Sequence, residues 1–170
     1  MSIIERDIRR LAKCLAATGQ TVATAESCTG GWLAKCLTDL PGSSKWFVAG
    51  WVCYGNESKQ RDLGVRAAIL RQQGAVSAAV VTELARGALR RSGARHAIAI
   101  SGIAGPGGAT PGKPVGTVWF AFARRQGRGV HLQTVVRRFR GGRDDVRRKA
   151  VIFALRGLYS SAKSVTLYTA

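Results

Sequence analysis

Short helix-like and strand-like hydrophobic patterns alternate along the whole chain, and this alternation is what most limits the fold. The spacing of apolar residues and the positions of Gly and Pro set the boundaries of each segment. A chain of 170 residues without an internal repeat is long enough for one compact domain. We therefore predict a single domain over residues 1–170, an α/β fold with three compact layers in which helices pack on a mixed β-sheet. The pattern predicts helices at residues 3–17, 30–39, 66–72, 77–91 and 144–159 and strands at residues 21–27, 46–54, 96–100, 117–123 and 132–139.

Hydrophobic residues make up 46% of the chain and charged residues 21%, which is ordinary for a globular protein and excludes a disordered or coiled-coil chain. No apolar run reaches the ~18 residues of a membrane span, and the N-terminus lacks the pattern of a signal peptide. We expect a cytoplasmic protein that does not contact a membrane. The four cysteines, Cys14, Cys28, Cys36 and Cys53, lack zinc or redox spacing. We expect them to be reduced and mostly buried, with no metal bound.

The formal net charge of +18 is unevenly distributed. Residues 124–149 carry ten basic side chains against only Asp144 and Asp145. A field of this sign attracts anions such as nucleic acids, acidic partners or phosphorylated small molecules. Within this segment, the strongest indication of nucleic-acid binding is a basic run formed by Arg137, Arg138 and Arg140 and the basic residues at 143 and 147–149. A solvated basic face explains the same run, so nucleic-acid binding is possible but not favoured.

The first stretch that suggests chemistry is TAESCTGG, residues 24–31, where a strand passes into a helix. A serine on such a turn, Ser27, projects from the edge of the sheet where open α/β sheets bind ligands. The N–H groups of Thr29, Gly30 and Gly31 at the helix start can hold a phosphate or an oxyanion. A simple helix cap followed by packing glycines fits the octet alone equally well.

The second stretch is YGNESK, residues 54–59, which follows the long apolar run 46–54. That run is typical of a strand covered on both faces, so Tyr54 and Lys59 are expected on a loop at the edge of the sheet. A lysine beside apolar walls can lose its proton and act as a base, and a Ser–Lys pair is one known form of nucleophilic catalysis. A solvated loop lysine is the alternative.

The third stretch is the glycine-rich and proline-rich loop at residues 101–116. Its glycines permit close approach of backbone amides to an anionic group. The spacing matches neither a P-loop nor a dinucleotide fingerprint, so nucleotide triphosphate or NAD binding is not indicated. A purely structural loop is possible. We interpret His96 as a strand start, His131 as a loop or edge residue, and the four tryptophans as core residues rather than a base-stacking platform.

Together these stretches resemble the C-terminal domain of the competence/damage-inducible CinA family, also found as stand-alone nicotinamide mononucleotide amidohydrolases. The resemblance runs from about residue 8 to residue 158 and rests on several blocks in the same order. It implies a three-layer α/β domain, a homo-oligomer without metal or cofactor, and hydrolysis of nicotinamide mononucleotide to nicotinate mononucleotide and ammonia in pyridine nucleotide salvage. The matching blocks are TAESCTGG (24–31), LPGSSKWF (40–47), YGNESK (54–59), LGV (63–65), GAVS (74–77) and SGIAGPGG with KPVGTVW (101–119).

The resemblance also assigns roles within the expected site. Ser27 is expected to attack the amide carbon, Lys59 to take its proton, and Tyr54 to orient the pair or pass a proton to the leaving ammonia. The amides at Thr29, Gly30 and Gly31 would hold the oxyanion, and the loop around Gly105 and Gly108, with Arg143 or Arg147, would hold the phosphate of the substrate.

The chain departs from the family pattern at two positions, with Gly55 in place of the usual Ser and Gly142 in place of an acidic residue. Both departures bear on affinity or substrate choice. Two other functions stay open: a basic nucleic-acid-associated protein, and a relative that binds a pyridine nucleotide without hydrolysing it.

Overall fold

A computed structural model describes residues 1–166 of the chain, with side chains to residue 163. Helices and strands alternate in it, as the hydrophobic pattern predicts. Its elements are α1 Ile3–Thr18, β1 Val22–Glu26, α2 Trp32–Thr38, a 3₁₀ turn Ser43–Lys45, β2 Phe47–Val52, α3 Asn56–Leu63, α4 Ala67–Gln73, α5 Ala78–Ser92, β3 His96–Gly102, β4 Thr117–Gln126, β5 Gly129–Arg138 and α6 Arg143–Thr166.

The five strands form one sheet in the order β2-β1-β3-β4-β5. Strand β1 is parallel to both of its neighbours, β2 and β3. Strands β4 and β5 then continue the sheet in the antiparallel sense. The predicted mixed sheet is therefore confirmed, and the carboxyl ends of β1, β2 and β3 meet at one edge.

Helices cover both faces of the sheet, which gives the predicted three layers. On one face, α1, α2 and α6 pack on larger strand residues such as Val22, Ile98 and Phe120. On the other face, α5 with α3 and α4 packs on strand alanines that include Ala25, Ala97 and Ala121. Small side chains on that face let the α5 backbone approach the sheet closely.

The helix ends follow from the residues that the sequence places there. The Ser2 hydroxyl caps α1 by accepting from Glu5 N–H, and Gly19 ends the helix in the left-handed conformation. Helix α5 begins after Ser77, whose hydroxyl accepts from Val80 N–H, and ends at Gly93. Both helices match the predicted ranges 3–17 and 77–91 to within one residue at each end.

The prediction for the apolar run at residues 46–54 is wrong in one respect. Strand β2 lies at the edge of the sheet, and exposed residues alternate with half-buried ones along it. Val48 is 48% exposed and Val52 53% exposed. The run is apolar because one face packs on the protein while the other keeps apolar side chains at the surface.

Several boundaries also differ from the prediction. Residues 56–63 form α3, whereas the sequence pattern predicts no helix between residues 54 and 66. The pattern misses it because this polar segment shows little helical periodicity. Strands β4 and β5 form a longer hairpin than predicted, and α6 extends beyond residue 159. His96 begins β3 as predicted. The four cysteines are free, three of them buried, and no helix within residues 1–166 is long and apolar enough to cross a membrane.

Candidate active site

Ser27 lies directly after β1, at the sheet edge where three parallel strands end. Its N–H donates to the carbonyl of Ile100 on β3 over 3.0 Å. On the other side, Cys53 N–H donates to the carbonyl of Glu26 over 2.8 Å. Ser27 is 8% exposed, and its hydroxyl has no hydrogen-bond partner within the described residues. The strand ends thus hold the backbone of Ser27 while its Oγ stays available.

The turn after Ser27 depends on two glycines. Gly30 and Gly31 have φ angles of +61° and +88°, which L side chains rarely adopt. Gly30 N–H donates to the Ser27 carbonyl over 3.0 Å. The N–H groups of Thr29 and Gly31 have no acceptor among the described residues. Thr29 is fully buried, so the half-buried Gly31 amide is the one of the two that a ligand can reach.

Glu26 caps α2 from the end of β1. Its Oε2 accepts from Leu33 N–H over 3.0 Å and its Oε1 from Ala34 N–H over 2.7 Å, and its side chain is buried. This role was not predicted from the sequence, although an acidic residue that ends an apolar strand just before a Gly–Gly turn is a usable signal. The carboxylate therefore ties the Ser27 turn to the first turn of α2.

Lys59 lies in α3 and is 1% exposed, so the expectation of a loop residue is wrong. Its Nζ donates to the carbonyl oxygens of Cys53, Tyr54 and Gly55 over 2.9, 2.8 and 3.4 Å. No hydrogen bond joins it to Ser27 in the part of the chain that the structure describes. Burial lowers the pKa of Lys59 below its ordinary 10.5, and interactions with Cys53 and Cys28 oppose this shift only in part. Lys59 is therefore a buried amine that gives up its proton more readily than a surface lysine.

Cys28 is the other potential nucleophile on the turn. It is buried, and burial raises the pKa of its thiol to about 12. At neutral pH it is a protonated thiol, and the thiolate is the reactive form of cysteine. This leaves Ser27 as the nucleophile that the turn can offer.

Arg143 joins two of the predicted stretches. Its Nη2 donates to the hydroxyl oxygen of Tyr54 over 3.0 Å, and its Nη1 donates to the carbonyl of Gly105 over 2.7 Å. Tyr54 is 60% exposed, and Arg143 is also exposed. The first turn of α6 thus connects the end of β2 with the glycine-rich loop.

The glycine-rich loop is anchored at both ends. Ser101 Oγ donates to the carbonyl of Ala75 over 2.8 Å, and Lys113 Nζ donates to that of Gln73 over 2.8 Å. Gly105 has a φ of +85°, and a Cβ there would lie 2.7 Å from Val115 Cγ1. Gly108 lies on the exposed part of the loop, and no contact of the structure ties it to Ser27, Lys59 or Arg143.

The basic run at residues 137–149 is not one free basic face. Arg147 donates to the carbonyls of Cys28 and Thr29 over 3.2 and 3.0 Å, with its guanidinium 5.3 Å from the Trp32 ring centroid. Arg143 is held by Tyr54 and Gly105. Two further arginines are also engaged, Arg137 over the Phe153 ring and Arg148 with Asp145. Arg147 therefore holds the Ser27 turn, and the other three arginines are engaged elsewhere on the protein.

The sequence of the CinA C-terminal domain family matches residues 5–162. The chain is 53% identical over 150 residues to nicotinamide-nucleotide amidohydrolase PncC of Escherichia coli strain K12, a match that covers 88% of this chain and 89% of that protein. The corresponding protein of Pseudomonas putida is 51% identical over 149 residues, with 88% and 91% covered. A crystal structure of a CinA superfamily protein from Klebsiella pneumoniae has a TM-score of 0.89 at 40% identity, with 95% and 98% covered.

Proposed function

The chain belongs to the CinA C-terminal domain family, and we propose that it is an amidohydrolase that converts nicotinamide mononucleotide to nicotinate mononucleotide and ammonia. Its similarity to the two PncC proteins extends over most of both chains. The observation that carries the proposal is the buried amine of Lys59 at the same strand edge as the unbonded hydroxyl of Ser27. A serine nucleophile with a lysine base needs both groups there.

In the proposed reaction, Ser27 Oγ attacks the carbon of the carboxamide while Lys59 Nζ takes the hydroxyl proton. The lowered pKa of Lys59 favours the neutral amine that this step requires. Once protonated, the ammonium is held by three backbone carbonyls at residues 53–55. Catalytic hydrogen bonds often form only in the substrate complex, so a contact between Ser27 and Lys59 is expected there.

The unpaired, half-buried amide of Gly31 would stabilise the tetrahedral oxyanion, and removal of one such donor typically costs ~3–4 kcal/mol. Collapse of the intermediate breaks the C–N bond, and Lys59 or Tyr54 passes a proton to the departing ammonia. Water then hydrolyses the ester on Ser27, with Lys59 again as the base. We assign Tyr54 this place because its hydroxyl is held by Arg143.

We place the phosphate of the substrate between the glycine-rich loop and α6. Arg143 is exposed beside Gly105, where its guanidinium can meet an anion. Arg147 already holds two carbonyls of the Ser27 turn, so its contribution is to position that turn. Gly108 would contribute a backbone amide from the exposed part of the same loop.

Ammonia release from nicotinamide mononucleotide tests the proposal. Ser27→Ala and Lys59→Ala should each lower kcat by at least a factor of about 100. The matched controls, Ser44→Ala and Lys45→Ala, change exposed residues of the same types and should keep full activity. In the unsubstituted protein, kcat/KM should rise with pH as Lys59 loses its proton, with a midpoint below the ordinary 10.5.

Full ammonia release by Ser27→Ala would rule out the serine mechanism. If the folded protein binds nicotinamide mononucleotide tightly but releases no ammonia, it is a non-catalytic relative. The proposed amidohydrolase activity would then be refuted.

A homo-oligomer that uses the face of β2 next to the site is also part of the proposal. Val48, Val52 and Tyr54 are exposed on this face, and contiguous apolar surface of this kind marks association sites. Val48→Lys with Val52→Lys should shift the protein towards the monomer in light scattering, and an unchanged mass would contradict the assignment. The place of the reaction in pyridine nucleotide salvage, in the reducing cytoplasm, belongs to the same proposal.

A further inference from the structure

A second concentration of positive charge lies at the opposite end of the sheet from Ser27. Its guanidinium groups surround the C-terminus of α5, the start of β3 and the β4–β5 turn. We call this group the distal arginine cluster. Its members are Arg61, Arg90, Arg91, Arg95, Arg124, Arg125 and Arg128.

Backbone contacts place these arginines together. Arg125 Nη2 donates to the carbonyl of Leu89 over 2.7 Å, and its N–H donates to the carbonyl of Arg95 over 3.0 Å. Arg91 Nη2 donates to the carbonyl of Arg61 over 3.3 Å. Arg124 is buried beneath the surface, while Arg61, Arg90, Arg91 and Arg128 are exposed.

The positive charge of the cluster is nearly uncompensated. Asp62 forms an ion pair with Arg61 over 2.7 Å. Among the described residues, no carboxylate oxygen lies within 4.0 Å of the other six arginines. The field is strong enough that Arg124 and Arg95 help burial to lower the pKa of His96 to about 4.

The fold uses only part of this charge. Arg125 binds the carbonyl of Leu89 in the last turn of α5, where a cation is favoured by the helix dipole, and that of Ala94 just after the helix. Arg90 reaches the carbonyl of Leu63 at the long distance of 3.5 Å. One such arginine satisfies the end of a helix. The exposed members carry further N–H donors, and their positive charges repel one another. This repulsion lowers the stability of the protein unless an anion neutralises the charges.

The part of the cluster around the start of β3 is separate from the amidohydrolase site, and Arg61, two residues after Lys59 in α3, is the member nearest to that site. Ser27 is bonded to Ile100 near the end of β3, whereas Arg95 precedes the first residue of that strand. At ~3.3 Å per residue, Arg95 and Ile100 are about 17 Å apart. A partner can therefore bind the cluster while substrate occupies the site, and the inference does not depend on the proposed function.

We propose that the distal arginine cluster binds the phosphate backbone of a nucleic-acid duplex without sequence preference. A guanidinium group can donate two parallel hydrogen bonds to one phosphate. A nucleic-acid backbone presents a row of phosphates, and such a row can neutralise several uncompensated arginines on one surface. Binding of single strands relies on exposed aromatic rings. Among the Phe, Trp and Tyr residues that the structure describes, Tyr54 is the only exposed one, and it lies at the other end of the sheet.

The test is fluorescence anisotropy with a labelled duplex DNA of about 25 base pairs, titrated at several salt concentrations. Contact with about five phosphates lowers affinity ~500-fold between about 50 and 200 mM salt. The variant Arg90→Gln/Arg91→Gln/Arg128→Gln should retain about two contacts and lose only ~10-fold over the same range. It should also bind more weakly at low salt and keep full amidohydrolase activity, because none of its positions belongs to the site.

The matched control is Lys13→Gln/Lys45→Gln/Arg71→Gln, which removes the same charge from exposed positions outside the cluster. It should bind duplex nearly as the unsubstituted protein does. Equal weakening in both variants would overturn the proposal, because net charge rather than the cluster would then drive binding. Undetectable binding at about 50 mM salt, or preference for anionic phosphatidylserine vesicles over duplex, would overturn it as well.

Discussion

His96 makes the stability of the protein depend on pH in a window that the structure defines. The ring is 1% exposed. Its Nε2 faces Oε1 of the Gln20 side-chain amide, an oxygen that only accepts, so Nε2 carries the proton. Its Nδ1 lies 3.2 Å from Ser161 Oγ and accepts from that hydroxyl. Burial, together with Arg124 and Arg95, lowers the pKa of His96 from 6.5 to about 4.

The unfolded chain binds a proton at His96 below pH 6.5, whereas the folded chain does so only below about pH 4. The contribution of neutral His96 to the free energy of unfolding is therefore fully present above pH 6.5 and is lost as the pH falls from 6.5 towards 4. Between about pH 7.5 and about pH 4.5, the shift corresponds to a loss of about 2.5 kcal/mol in the free energy of unfolding.

Urea denaturation of the unsubstituted protein and of His96→Gln at both pH values measures this loss. Other ionisable groups are common to the two proteins, so the difference between their pH dependences isolates His96. We expect His96→Gln to lose about 2–3 kcal/mol less on acidification. An equal loss in both proteins would refute the reasoning. An NMR titration of the His96 ring checks the pKa directly if the variant folds poorly.

Two substitutions test how the fold positions the site and packs its last helix. Glu26→Gln removes one of two charge-assisted bonds to the start of α2 and should destabilise the protein by about 2 kcal/mol in urea denaturation. The control Glu57→Gln, at an exposed position, should change the free energy of unfolding little. Equal effects of the two substitutions would contradict a capping role for Glu26. Gly157→Ala should also destabilise, by about 1–2 kcal/mol despite the better helix propensity of alanine, because the new Cβ would lie 2.2 Å from Phe122 Cζ. Addition of Phe122→Leu should recover part of this loss, and a Gly157→Ala protein more stable than its parent would show that Phe122 moves freely.

The sequence predicts the layers, most elements and the helix caps, because apolar periodicity and terminal Ser and Gly residues are local signals. It fails at α3, whose polar sequence has almost no apolar face of its own. The helix forms there because Lys59 and Leu63 are buried against the protein, and no local pattern reports that burial. It also fails at β2, since an apolar run does not show whether its second face is covered.

The site was predicted as a set of stretches rather than as contacts. Ser27, Tyr54 and Lys59 are visible as motifs, but the contacts that organise them cross large sequence separations. Arg147 reaches back to Cys28 across 119 positions, whereas the contact of Glu26 with the next helix spans only seven or eight. Arg143 was expected beside the phosphate, and its bond to Tyr54 could not be foreseen from spacing. Tertiary packing sets these partners, which is why their roles emerge only in three dimensions.

The two arginines at the start of α6 have a consequence for how the protein is made. Arg143 bonds to a residue 89 positions earlier and Arg147 to one 119 positions earlier. A nascent chain on the ribosome therefore has Ser27 and Lys59 long before the helix that fixes their surroundings emerges. If the proposed site is correct, we expect an incomplete translation product that lacks the last helix to expose an unsupported turn to proteases and to have no activity of its own.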